Sequence, residues 1–240
     1  MGGVIPPQPM AHEDRLMAFS QEVMGINQQQ VLRQVAAFVN QQDFYLGGGT
    51  AVAIQLGHRR SVDLDWFTKG EISDPLALAS DLQEAGIPFH VTDVEKGTLH
   101  GMVRGVRLSF LEYRYPPLFP PVDWPEYRTR LATLEDLACM KLSAVGGRGA
   151  KKDFIDIYAL GTERFSLSQM LTLYQRRYKA GDLGHTIFAL TYFDDAEEEA
   201  APEMLWSVGW KEIRSTIEDW VREYVQKQAP AKAAENDMDP

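Results

Sequence analysis

Three consecutive glycines between two short apolar segments constrain this chain more than any other feature. The stretch FYLGGGTAVAIQLGHRRSVDLDWFT begins with an apolar run at Phe44–Leu46, and the glycines follow at once. Its spacing predicts a helix over Thr50–Leu56 and a strand over Val62–Phe67. The chain must therefore build a strand, a glycine turn, a helix and a second strand in close succession.

The second of these strands carries two aspartates. Successive side chains of a strand point to opposite faces, so Asp63 and Asp65 share one face. Two carboxylates held side by side repel each other, and a divalent cation removes that conflict. Mg²⁺ is commonly bound by one or two protein carboxylates together with substrate phosphates. The pair therefore predicts a magnesium site, and the alternative is a strand with surface acids.

The glycine turn supplies groups that suit a phosphate. Glycine lets the backbone come close to an anion, and the start of a helix offers free N–H groups. Gly48 and Gly49 occupy that place, and Thr50 adds a hydroxyl. Neither the P-loop pattern nor the Rossmann glycine spacing is present. The other interpretation is an ordinary tight turn between a strand and a helix.

A second group of charged residues lies about eighty positions downstream. Lys141 stands in an otherwise apolar predicted helix, Thr133–Val145. Asp153 and Asp156 are three residues apart in the next predicted helix, Lys151–Gly161, and so share a face. This arrangement predicts either a salt-bridge hub or part of a site.

Three further polar residues are candidates for contact with a nucleotide. Arg59 can meet the acids or a phosphate, and Ser61 can bond within its loop or to a phosphate. Arg148 is typical of a solvated charge, but it can also touch phosphate or RNA.

The pattern of elements predicts an α+β protein. Strands are expected at Phe89–Val94, Gly97–Arg104 and Val106–Leu111, with turns between them that allow hairpin pairing. They form a mixed sheet, and the prolines of residues 114–125 are expected to stop regular structure. Further helices are expected at Leu167–Tyr178, Gly184–Tyr192 and Glu203–Gln228.

This order divides the chain into three predicted regions. Residues 1–125 form a mixed α/β core with N-terminal helices, residues 126–228 form a helical domain, and residues 229–240 form a flexible tail.

Composition excludes some classes of function. The net charge of −10 argues against a general nucleic-acid coat, although one local basic groove remains possible. The single cysteine, Cys139, rules out an intrachain disulfide framework. No signal peptide or run of about 18 apolar residues is apparent, so we expect a cytoplasmic protein with no membrane span.

These motifs together resemble a known group. Gly48-Gly49-Thr50, twelve residues and then Asp63-Leu64-Asp65 resembles the signature of the DNA polymerase β-type nucleotidyltransferase superfamily. The wording GGTAVAIQLGHRRSVDLDWFT is similar to the AbiEii/AbiGii toxin family within it. The later segment, with Lys141, Arg148 and Lys152-Asp153-x-x-Asp156, resembles that family's second motif. The resemblance covers roughly residues 40–165.

The resemblance implies a mixed-sheet nucleotidyltransferase core followed by a helical half, and an enzyme that moves a nucleotidyl group from a nucleoside triphosphate to a hydroxyl. It implies Mg²⁺ as cofactor, an RNA, protein or small-molecule acceptor, and a toxin role beside an antitoxin protein. The roles it implies are phosphate binding by Gly48, Gly49, Thr50 and Lys141, and metal binding by Asp63 and Asp65. It also implies a catalytic place near Lys141 for Asp153 and Asp156, one of which would help to orient the attacking group or Lys141.

One departure concerns a third carboxylate that the superfamily often carries on a later strand. The inward position here is Ser109, and Glu112 lies out of phase with that face. Either Glu112 or Asp153 substitutes, or the site binds one metal, or activity is weak. The alternative function is a degenerate nucleotidyltransferase fold that binds a nucleotide or a protein partner.

Overall fold

The computed structural model describes residues 22–228. The predicted tail, 229–240, and the expectations for the first residues of the chain lie outside this range. Within it, no helix is long and apolar enough to cross a membrane.

A mixed seven-stranded sheet forms the centre of the described structure, in the order β3-β4-β5-β2-β1-β7-β6. Strands β2 and β5 run parallel, as do β1 and β7, and the remaining neighbours are antiparallel. The predicted α+β class and mixed sheet are confirmed. The strands are β1 (Tyr45–Leu46), β2 (Asp63–Thr68), β3 (His90–Glu95), β4 (Thr98–Val103), β5 (Val106–Glu112), β6 (Val122–Trp124) and β7 (Thr129–Leu131).

Helices flank this sheet and make up most of the structure after β7. They are α1 (Ile26–Gln41), α2 (Gly48–Leu56), α3 (Pro75–Glu84), α4 (Leu134–Gly147), α5 (Lys151–Glu163), α6 (Leu167–Tyr178), α7 (Gly184–Ala189), α8 (Asp194–Glu198) and α9 (Trp210–Gln228). The prediction for 167–178 is confirmed to the residue, and most other helices and strands differ from prediction by one or two residues at their ends.

The expectation that the prolines end regular structure was wrong. Strand β6 lies within residues 114–125, and β7 continues the sheet beyond them by pairing Leu46 with Leu131. These strands have three residues each, too few to show a period of two. Burial holds the hairpin instead, because the rings of Trp124 and Tyr127 lie 4.3 Å apart and are almost fully buried.

Other bounds also differ from prediction. Helix α4 extends through Gly147 into the predicted GGRG loop, α7 stops at Ala189, and α9 begins only at Trp210. The segment before α9 is not helical, because the backbone groups of Glu203 and Leu205 form hydrogen bonds with the loop that precedes β2. The backbone N–H of Arg60 donates to the Glu203 carbonyl at 2.8 Å, and that of Leu205 donates to the His58 carbonyl at 2.9 Å.

Helix α2 joins the two parts of the chain. All of its residues from Thr50 to Leu56 are buried, as expected for a helix that is apolar on every side. It contacts β2 on one side and α4 and α5 on the other. The helical half is thereby packed beside the strand that carries the aspartates.

Candidate active site

A cleft of about 1140 Å³ lies between the sheet and the helices that follow it. The glycine turn, the aspartate strand and the helical half all contribute to its wall. Gly48, Asp63, Asp65, Lys141 and Arg148 line it together. Residues from positions 48 to 148 therefore meet in one cavity, as the sequence predicted for a single site.

The two aspartates lie on one face of β2. Leu64 and Trp66, on the opposite face, are fully buried, whereas Asp63 and Asp65 are partly exposed to the cleft. Burial of the Asp65 carboxyl raises its pKa, and the nearby Asp63 charge raises it further. Asp63 lies 4.0 Å from the exposed Arg107 guanidinium. The pair thus concentrates negative charge that a cation would neutralise.

The glycine turn is packed directly against this strand. Gly48 has a φ of +63°, and a Cβ atom there would lie 2.5 Å from Asp65 Oδ2. A Cβ on Gly49 would lie 2.3 Å from an Arg59 guanidinium nitrogen. The backbone N–H of Gly47 also donates to the Asp65 carbonyl at 2.9 Å. The close approach of turn and strand therefore requires residues without side chains.

Thr50 and Ser61 form further contacts between the glycine turn and the aspartate strand. The Thr50 hydroxyl is buried and donates to the backbone carbonyl of Asp63. Its oxygen lies 2.7 Å from the Ser61 hydroxyl. Ser61 lines the cleft. In this structure the Thr50 hydroxyl anchors the aspartate strand to α2, and contact of either hydroxyl with a nucleotide stays a prediction.

Lys141 is buried between α4 and α5. Its Nζ lies 2.8 Å from Asp153 Oδ1 and 2.6 Å from Asp156 Oδ2. Both carboxylates are fully buried, and Lys141 also lines the cleft. The predicted salt-bridge hub is therefore present, and it forms part of the cleft wall.

Asp156 gathers further donors from the loop before β2. His58 Nε2 lies 2.7 Å from its Oδ1, and Arg59 donates through Nε and a terminal nitrogen at 2.7 and 2.9 Å. Burial alone would raise the pKa of this carboxyl, but the charges of Arg59 and Lys141 hold it well below the usual value. Burial lowers the pKa of His58, which keeps the imidazole neutral.

Asp153 is held in a similar way. Arg148 donates to it through Nε at 2.7 Å and through a terminal nitrogen at 3.0 Å. Although burial would raise the pKa of Asp153, Lys141 and Arg148 lower it. The cluster thus contains three cations, Lys141, Arg59 and Arg148, and two carboxylates. The positive charge in excess lies beside the cleft.

The position expected for a third carboxylate is occupied by Ser109. It is the Cα partner of Asp65 across β2 and β5, as the predicted phase of the strand requires. Glu112 does not line the cleft, because it accepts from Arg114 Nε at 2.9 Å and from the Ile72 N–H at 3.2 Å. Both oxygens of Asp153 are bonded to Lys141 and Arg148.

The donor set fits Mg²⁺ with two protein carboxylates. Across residues 22–228, no group of three or more His, Cys, Asp or Glu side chains is arranged to hold a metal. Asp63 and Asp65 would hold the ion, and phosphate and water oxygens would complete its shell, as is usual for Mg²⁺.

Two histidines of this region are not among the predicted site residues. His58 bonds to Asp156, and His100 lies within the cleft beside Ser109. The sequence holds a signal for His100. The two-residue turn Arg104–Gly105 sets the hairpin register, and counting back from it pairs His100 with Ser109. No local signal identifies His58, because its partner lies 98 residues away.

Known structures share this fold. MenT4, a nucleotidyltransferase toxin of Mycobacterium tuberculosis H37Rv, aligns with a TM-score of 0.51 at 13% identity, over 90% of this chain and 93% of that chain. The protein JHP933 of Helicobacter pylori aligns with a TM-score of 0.52 at 18% identity, over 88% of this chain and 94% of that chain. The fold is that of a nucleotidyltransferase.

Sequence comparison identifies the family. The family described as nucleotidyl transferase AbiEii toxin, type IV TA system, matches residues 30–227. The chain belongs to this AbiEii nucleotidyltransferase family. An uncharacterised protein of Aquifex aeolicus is 33% identical over 201 residues, which cover 83% of this chain and 96% of that protein.

Proposed function

We propose that the protein transfers a nucleotidyl group from a nucleoside triphosphate to a hydroxyl acceptor, with Mg²⁺ held by Asp63 and Asp65. One observation carries the proposal. The cleft has a carboxylate side at β2 and a cationic side at Lys141, Arg59 and Arg148. A metal–triphosphate complex presents the charges that complement both sides.

The residues of the chain have distinct tasks in this reaction. The glycine turn brings backbone N–H groups close to the phosphates, and the excess positive charge of the Lys141 cluster faces the charge that develops on the leaving pyrophosphate. Asp153 and Asp156 do not line the cleft, so they act as positioning residues for Lys141, Arg148 and Arg59. Bound Mg²⁺ supplies charge neutralisation at the phosphate oxygens.

The acceptor class rests on the family. An RNA, a protein side chain or a small molecule can supply the hydroxyl, and the family description supports a toxin role within a toxin–antitoxin system. The proposal includes an antitoxin protein as partner and a place of action in the cytoplasm. The exposed Arg60 and Arg107 and the cleft residue Lys152 add positive charge to the cleft wall, which favours an acceptor that carries phosphates.

A transfer assay tests the function. The full chain is incubated with each α-³²P-labelled nucleoside triphosphate, Mg²⁺ and cellular RNA or protein. Labelled acceptor and free pyrophosphate are expected from the wild type and from Asp123→Asn, an exposed control on β6. Asp63→Asn is expected to give neither.

Ser109 at the third-acid position supports one alternative, a degenerate fold that binds a nucleotide without transferring it. Calorimetric binding of nucleotide by wild-type protein, with no labelled acceptor under any condition, would favour that alternative.

A further inference from the structure

A row of polar side chains crosses the floor of the cleft from β2 to β3. Ser109 on β5 is the Cα partner of both Asp65 on β2 and His100 on β4. Asp93 on β3 is in turn the partner of His100. Side chains paired across neighbouring strands point to the same face, and all four residues line the cleft.

The hydrogen bonds in this row indicate where the Ser109 hydroxyl proton and the His100 ring proton lie. Ser109 is the Cα partner of Asp65, and a hydrogen bond from its hydroxyl to the Asp65 carboxyl lowers the pKa of that group, against the larger upward effect of burial. That bond uses the one proton of the hydroxyl. His100 Nδ1 lies 3.1 Å from Ser109 Oγ, so Nδ1–H must be the donor of this second bond. The neutral imidazole then carries its lone pair on Nε2.

We propose that His100 is the general base of the transfer, an inference that rests on the proposed nucleotidyl transfer. The acceptor oxygen forms a bond to the α-phosphorus while its O–H bond breaks and the proton passes to Nε2 of His100. The bond from the α-phosphorus to the bridging oxygen breaks, and its electron pair leaves on pyrophosphate. The imidazolium then releases the proton to water.

Burial along the row suits this role. Ser109 is buried, whereas His100 is only partly buried and borders the cavity. The hydrogen bonds that join Asp65, Ser109 and His100 are thus shielded from solvent, and the His100 imidazole is accessible to an acceptor hydroxyl in the cleft. His100 also belongs to no metal-ligand group among residues 22–228. Ser109 occupies the position where a third carboxylate was expected. Its role in this proposal is to determine which ring nitrogen of His100 carries the proton.

The charges around His100 define the test. Asp93 faces it from β3, Arg107 and Ser109 lie on the same face of β5, and Arg148 and Lys152 belong to the helical wall of the cleft. A general base accepts a proton in its neutral form, so loss of the base should change the dependence of the rate on pH.

Replacement of the imidazole gives the kinetic test. His100→Gln should lower kcat at least about 100-fold, leave KM for the nucleotide within about twofold, and remove the acidic limb of the pH–rate profile. Added imidazole should restore part of the rate in His100→Ala. His185→Gln, an exposed histidine on α7, is the matched control and should behave as wild type. Thermal unfolding confirms that each variant is folded.

A second measurement is independent of activity. Nitrogen NMR of ¹⁵N-histidine-labelled protein should show neutral His100 protonated at Nδ1, with its signal assigned by its loss in His100→Gln. Ser109→Ala should shift this tautomer towards Nε2–H. A wild-type His100 protonated at Nε2 would overturn the assignment.

The outcomes separate the two proposals. Wild-type transfer with an unchanged rate and pH profile in His100→Gln overturns the base and leaves the transferase function standing. Failure of the wild-type protein to transfer any nucleotide overturns the function, and with it the role of His100.

Discussion

Lys141 Nζ lies 2.6 Å from Asp156 Oδ2, and this contact ties α4 to α5 at the back of the cleft. The same ammonium lies 2.8 Å from Asp153 Oδ1. All three side chains are almost completely buried. The wall that faces the phosphates is therefore also a buried ion cluster, and its charges affect folding as well as function.

Removal of this cation should destabilise the protein strongly. Lys141→Met leaves two buried carboxylates with fewer partners, and breaking a buried ion pair from one side costs about 3–5 kcal/mol. Urea unfolding followed by circular dichroism measures the change. Lys152→Met removes an exposed lysine from the same cleft and should cost less than about 0.5 kcal/mol. Equal losses in the two variants would contradict a structural role for the cluster.

Asp65→Asn should stabilise the metal-free protein while it abolishes transfer. The pKa of Asp65 is raised by burial and by Asp63, so its ionised form is unfavourable in the fold at neutral pH. Thermal unfolding in EDTA should give a higher Tm than wild type, and added Mg²⁺ should no longer raise it. Asp81→Asn, exposed on α3, serves as the control and should respond to Mg²⁺ as wild type does. A lower Tm in EDTA would argue against charge repulsion at this site.

Gly48→Ala and Gly105→Ala form a matched pair. Both glycines have positive φ, +63° and +79°, so each alanine meets a similar backbone penalty of about 1–2 kcal/mol. Only at Gly48 does the new Cβ meet another group, Asp65 Oδ2 at 2.5 Å, whereas nothing lies within 4 Å of it at Gly105. Gly48→Ala should therefore lose more stability and also nucleotide affinity, measured by calorimetry. The proposal for the turn would be weakened if Gly105→Ala reduced nucleotide affinity as much.

The pH dependence of stability should report the cluster. The folded pKa of Asp156 lies well below its ordinary value of 3.8, so its stabilising contribution is complete above that value and is lost as pH falls through the folded pKa. Asp156→Asn should be much less stable than wild type at pH 7. The difference between the two should shrink below pH 3.8, because the carboxyl of unfolded wild-type protein then takes up a proton, whereas the folded one keeps its charge down to its lower folded pKa. Urea unfolding over a pH series measures this, and a gap that widens in acid would contradict it.

The local sequence pattern alone predicted correctly that the two aspartates lie on a strand and share one of its faces. The alternation around Leu64 places Asp63 and Asp65 on one face, and a period of two depends only on strand geometry. The same reasoning named Ser109 as the inward position of a later strand, and the structure pairs it with Asp65. The position of the hairpin turn at Arg104–Gly105 also predicts that His100 pairs with Ser109, because a two-residue turn fixes the register of the two strands that it joins.

Short or tertiary-dependent elements could not be predicted in this way. β6 and β7 form because Trp124 and Tyr127 become buried and Leu131 pairs with Leu46. A strand of three residues has no sequence pattern that predicts such distant partners. The true start of α9 depends likewise on Glu203 and Leu205 bonding to the loop before β2.

The sequence by itself determined that this chain carries a glycine turn, a paired-aspartate strand and a lysine helix of the AbiEii type, since motifs and periodicities are local properties. Only the tertiary structure decided how the charges are paired. It turned Glu112 away to Arg114, enclosed Asp153 and Asp156 with Lys141, and brought His58 and Arg59 to the same carboxylate from 98 and 97 residues away. The physical reason is desolvation. A buried charge must find partners wherever the fold places them, and those partners are not set by sequence spacing.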